Sequence, residues 1–141
     1  MKSVLSNIIG GLFILLFTYT ALSKLAGYAR FRFVLSTAPL VHHYAGWIAA
    51  IIPAAELAIA ALIFIPSTAK KGLIAGVCLL SVFTIYLVFM ILTYPNLPCS
   101  CGGVIQQLSW QQHIAFNIFF ITAGLAGIYM QNKELNTPAG V

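Results

Sequence analysis

The chain has 141 residues, about one domain's length, of which 61% are hydrophobic and only 6% charged, with a mean hydropathy of +0.99. A soluble domain carries about a quarter charged residues, so seven Lys/Arg and two Asp/Glu exclude a water-soluble globule, a nucleic-acid-binding protein and a disordered tail alike. The lipid bilayer is its solvent, and the net charge of +5 fits Lys and Arg placed at membrane boundaries, where they set orientation and meet anionic headgroups.

Crossing a hydrocarbon core of about 30 Å takes about 20 mostly apolar residues as helix. Four stretches qualify: residues 8–26, 45–65, 72–94 and 110–130. The first is uncharged until Lys24. Lys2, an apolar run and Ala21-Leu22-Ser23 loosely imitate a signal peptide, but the run is long and its basic start weak, so we read an uncleaved helix. Residues 28–44 are too polar to span, yet Phe31, Phe33, Val34 and Leu35 are apolar; they predict a short amphipathic helix at the interface, ended near Pro39. The second span is broken only by Pro53 and Glu56 and stops at Pro66-Ser67, after which Lys70-Lys71 mark a turn into the third, uncharged span. Pro95 and Pro98 end that one. Ser109 and Gln112 form a capping box that starts the fourth span at Trp110, with His113 and Asn117 as its main polar intrusions. None of the runs alternates with period two, and each is too long for a barrel strand. The expected fold is all-α: a single transmembrane domain over residues 1–141, an integral membrane four-helix bundle with an amphipathic helix between the first two spans.

Charge placement gives an orientation. Lys2, Lys70, Lys71 and Lys133 share one side, while Lys24, Arg30 and Arg32 lie towards the other. The tight two-lysine turn and the uncharged 95–112 loop favour both termini inside and that loop outside, with Trp47 and Trp110 at the outer interface.

The residues able to do chemistry are few. Cys99 and Cys101 form a C-x-C followed by Gly102-Gly103, just past the third span. Cys78 lies 21 residues earlier, roughly 30 Å along a helix, too far to pair with them; it reads as a small filler in a helix interface. The C-x-C admits a labile exchange disulfide, a soft-metal thiolate pair, or a permanent disulfide or idle thiols. A closed zinc site needs four ligands, and only His113 is near in sequence, so no metal site is assigned. His113 opens the fourth helix with Asn117 at i+4 on the same face, able to orient the imidazole for proton transfer to or from a thiol; the plainer reading is an interfacial histidine facing headgroups. Glu56, a lone carboxylate inside a span, is costly and marks a site. Lys24, the nearest cation by depth, is its expected partner, either fixing helix register or moving a proton.

Ser23-Lys24-Leu25, the aromatic segment with Phe31 and Phe33, and Pro53-Ala54-Ala55-Glu56-Leu57 resemble the DoxX-like family of four-helix membrane proteins. Cys99-Ser100-Cys101-Gly102-Gly103, followed by Leu108-Ser109-Trp110 and His113-Ile114, resembles its MauE branch, the methylamine-utilisation membrane proteins. The resemblance implies a bacterial inner-membrane protein in the redox maturation of exported proteins: the MauE branch is associated with disulfide formation in methylamine dehydrogenase alongside a thioredoxin-like partner, and other relatives with quinone-coupled thiosulfate oxidation. It carries no catalytic residue over to this chain. The expected function is therefore thiol–disulfide exchange through Cys99 and Cys101, with a thioredoxin-like or exported redox partner. The sequence has no haem or flavin signature, which leaves a membrane quinone as the simplest electron sink. The alternatives are an assembly subunit with a structural disulfide, in a homo- or hetero-oligomer, and a small metal-handling membrane protein.

Overall fold

The computed structural model describes residues 2–37, 41–93 and 110–136. These form five α-helices: α1 (Lys2–Ala26), α2 (Tyr28–Thr37), α3 (Ala45–Phe64), α4 (Ala69–Thr93) and α5 (Trp110–Asn136), with a short 3-10 turn at His42–Tyr44 before α3. Among the described residues there is no strand. The helices α1, α3, α4 and α5 are each long and apolar enough to cross a membrane. They follow one another around the bundle in the order α1, α3, α4, α5, with α5 returning to α1, while α2 lies against α3. The fold is the all-α membrane bundle that the composition requires.

The ends of the helices shift from their sequence-based positions for local reasons. Pro66 cannot extend α3, whose last turn closes with Ile65 N donating to Ala61 O. The Thr68 hydroxyl then donates to Leu62 O at 2.8 Å, and Gly72 N donates to Thr68 O, so α4 starts at Ala69. Lys70 and Lys71 therefore lie inside its first turn instead of in the connection. Gly72 permits this tight reversal: a Cβ there would sit 2.7 Å from Ile63 N. At the other end of the bundle only Gly27 separates α1 from α2, and Phe31 N donates to Gly27 O across the break. The amphipathic helix thus follows α1 at once and stops at Thr37, shortly before Pro39. Trp47 is 73% exposed, as a residue facing headgroups or lipid should be. The expected Ser109 cap lies outside the described residues.

The core explains how the bundle holds together without water to drive it. The buried residues described on α5, His113, Asn117, Phe120, Gly124 and Gly127, fall on one stripe at spacings of four, three, four and three. On α1 the stripe runs Ile9, Phe13, Leu16–Phe17, Thr20 and Lys24. Phe13 is completely buried. It meets Phe120 edge-on with centroids 5.6 Å apart. Gly76 and Gly124 face it, and a Cβ on either would come within 3.2 or 2.8 Å of its ring. Small residues that let aromatic side chains and backbones approach are the usual means of helix association in lipid. Gln131 Nε2 donates to Ser6 Oγ at 3.2 Å, tying the start of α1 to the end of α5.

The expectation for Cys78 is overturned. It is exposed on α4, sharing an outward face with Ile74 and Val82 four residues away on either side, whereas Leu73, Gly76, Val77 and Leu80 face inwards. An outward position is inexpensive because a thiol is a small, nearly apolar group that lipid accommodates.

Candidate functional site

The polar residues of the spans gather near the end of the bundle where α1 and α4 finish and α3 and α5 begin. Lys24 closes α1 and is 3% exposed; Glu56, three turns into α3, is 4% exposed. Lys24 Nζ donates to Glu56 Oε1 at 2.7 Å. A lysine this deep is unusual, and its surroundings explain it. Its stem lies in the bundle while its ammonium meets a carboxylate, the Phe31 ring at 6.0 Å and the Phe83 ring at 5.7 Å. Opposite charge and the negative faces of two aromatic rings together replace lost hydration. Phe31 reaches this place because α2 turns back immediately after Gly27 and buries that one side chain. Pro53, one turn before Glu56, is buried within a continuous α3.

From α5, His113 and Asn117 enter the same site, each 3% exposed. The i, i+4 spacing places both on the inward stripe. His113 thus faces the bundle interior and not the headgroups, which removes the plainer reading of this residue. Lys24, Glu56, His113 and Asn117 all line one cavity of about 40 Å³, together with Thr20 and a largely apolar remainder that includes Phe17, Leu80 and Phe83. The Thr20 hydroxyl donates to Phe17 O at 3.2 Å and also stands beside the Glu56 carboxylate, but its single proton serves one acceptor at a time. Two atoms of the site, Glu56 Oε2 and Asn117 Nδ2, are buried with no hydrogen-bond partner among the described residues. A cavity that accepts a benzene-sized ring measures about 150 Å³. The cavity here is smaller than that.

Cys99 and Cys101 lie outside the described residues. Their segment, 94–109, joins the end of α4 to the start of α5, and His113 is the fourth residue of α5. The structure therefore places His113, expected with the cysteines, in one cavity with Lys24, Glu56 and Asn117, the polar residues expected within the membrane. Among the described residues no group of three or more His, Cys, Asp or Glu could hold a metal ion. Among the lining residues that went unmarked in the sequence are Thr20, Phe83 and Phe17. Thr20 stands four residues before Lys24 and could have been found as a polar residue at helical spacing in an apolar span. Phe83 and Phe17 are apolar residues in apolar spans and give no such signal.

A family model described as methylamine utilisation protein MauE matches residues 2–130. The chain belongs to the MauE family. No curated protein and no solved structure matches it. Family membership and the four spans make it a multi-pass membrane protein associated with methylamine utilisation.

Proposed function

We propose that this MauE-family protein is a thiol–disulfide redox component acting on exported proteins through Cys99 and Cys101. A dithiol of the exported protein attacks the Cys99–Cys101 disulfide, forming a mixed disulfide and releasing one cysteine as thiolate. The second thiol of the substrate then displaces the other cysteine, so the substrate leaves oxidised by two electrons and the C-x-C remains as two thiols. A thioredoxin-like partner's disulfide takes those electrons by the same exchange in reverse, and the cycle closes. In this reading His113 accepts the proton of an attacking thiol and returns it to a leaving thiolate. The observation that supports this reading is its burial in a polar site at the bundle end to which the cysteine segment is tethered. In this reading the termini are cytoplasmic and the C-x-C faces the oxidising side of the inner membrane.

Redox titration with thiol trapping tests the proposal. An exchange disulfide should be reduced near the thioredoxin potential of about −270 mV, and a structural one only below about −300 mV. In intact cells an impermeant thiol reagent should reach Cys99 and Cys101 after reduction and miss Cys78 within its span. Resistance to reduction would make the chain an assembly subunit, and labelling only after lysis would reverse the topology.

A further inference from the structure

The ion pair leaves one chemical problem unsolved. Glu56 Oε2 is an acceptor and Asn117 Nδ2 a donor, both buried and without a partner among the described residues, and they come from α3 and α5. Burying an orphan of this kind is costly, and the cost is borne where lipid supplies no hydrogen bonds. Both residues line the same cavity. Its polar lining is a carboxylate, an ammonium, an amide, an imidazole and a hydroxyl. A ligand that satisfies both orphans must accept from the amide and donate to the carboxylate. It must also be small and neutral, since Lys24 already balances Glu56.

We propose that this cavity is a water-binding site, in which water accepts from Asn117 Nδ2 and donates to Glu56 Oε2. A bound water needs about 10–15 Å³ and two to four polar partners. The 40 Å³ of this cavity therefore holds a short chain of about three molecules at most. Such a chain links the ion pair of α1 and α3 to α5, where His113 shares the cavity wall. A carboxylate and an imidazole joined by water inside a lipid-enclosed bundle form a route for proton exchange. The route runs from the ion pair to His113, on the helix that follows residues 94–109 in the chain. It stands whether or not those cysteines exchange disulfides.

Radiolytic footprinting of the full chain in lipid nanodiscs, with ¹⁸O-labelled water, tests the site, because radicals formed from bound water oxidise the side chains beside it. Phe17 and Phe13 supply an internal comparison one turn apart on α1. Both are buried, at 2% and 0% exposure, but only Phe17 lines the cavity. The expected result is ¹⁸O incorporation at Phe17 at least several-fold above that at Phe13. Asn117→Leu, which keeps the volume and removes the donor, should bring Phe17 down to the Phe13 level. Should that variant fail to fold, the comparison of Phe17 with Phe13 in the wild-type protein decides by itself. Equal, background-level labelling of the two phenylalanines in the wild-type protein would overturn the proposal, as would a folded Asn117→Leu variant labelled like wild type.

Discussion

The inward face of α1 divides the bundle into two halves that are built on different physics. From Ile9 to Phe17 it is apolar, and the facing helices answer with Gly76, Gly124 and Gly127. From Thr20 to Lys24 it is polar, and the facing helices answer with Glu56, Asn117 and His113. In the apolar half shape decides everything, because lipid is as apolar as leucine and only close approach distinguishes protein contacts from lipid ones. In the polar half charge decides, and packing is relaxed enough to leave a cavity and two atoms without a hydrogen-bond partner among the described residues. The difference teaches that the first half holds the fold and the second is where the chain tolerates cost for the sake of chemistry. Three sets of substitutions probe that division, in falling order of effect.

The largest effect should follow from separating the charges. Lys24→Met strands the Glu56 carboxylate beside apolar surface, and Glu56→Gln removes the countercharge of a buried ammonium. Each should destabilise the protein by about 3–5 kcal/mol, whereas the double variant should recover much of the loss because no charge is left buried. Thermal melting in one detergent measures all four proteins. Should the double variant lose the sum of the two singles, the pair has no coupling, and charge does not govern this half.

In the apolar half the corresponding test adds an atom instead of removing a charge. A Cβ on Gly124 would meet the Val77 side chain and the Phe13 ring at once, so Gly124→Ala should cost about 1–3 kcal/mol by overpacking. Gly11 has nothing within 4 Å of the same position. Gly11→Ala should therefore be neutral or slightly stabilising, and equal melting shifts for the two would show that shape is not what the apolar half depends on.

Much of this division can be read in the sequence, for reasons that differ by residue. A carboxylate in an apolar span is conspicuous because it is expensive there, so Glu56 and its nearest cation stand out without any structure. His113 and Asn117 share a face by helical spacing alone. The glycine–phenylalanine contacts are a different matter. Spacing shows that Gly76 and Gly124 lie in spans but not that both face Phe13, since contact between helices is set by their rotation about their own axes. The same indeterminacy misplaces Cys78. The third span is apolar on every side, so nothing in its sequence separates a lipid-facing thiol from a buried one. The opposed placement of His113 and the ion pair around one cavity likewise depends on the order of helices in the bundle, which local sequence does not encode.

The smallest effect concerns what closes the polar half. Lys24 Nζ stands 6.0 Å from the Phe31 centroid and 5.7 Å from that of Phe83, so a residue of the interfacial helix and a residue of a spanning helix flank the same ammonium. Leucine at position 31 would keep an apolar cover over the site and lose the ring's negative face. Phe31→Leu should then cost about 0.5–1 kcal/mol, the range of a modest cation–π contact. The same substitution in a Lys24→Met background should cost almost nothing more, since no cation remains to interact with the ring. Melting both pairs of proteins separates the contributions: an equal loss with and without Lys24 would reduce Phe31 to packing, and a loss confined to the lysine-bearing protein would assign α2 an electrostatic part in holding the buried charge. That second outcome would make the amphipathic helix a component of the site, held there by the single-residue break at Gly27 that turns Phe31 inwards.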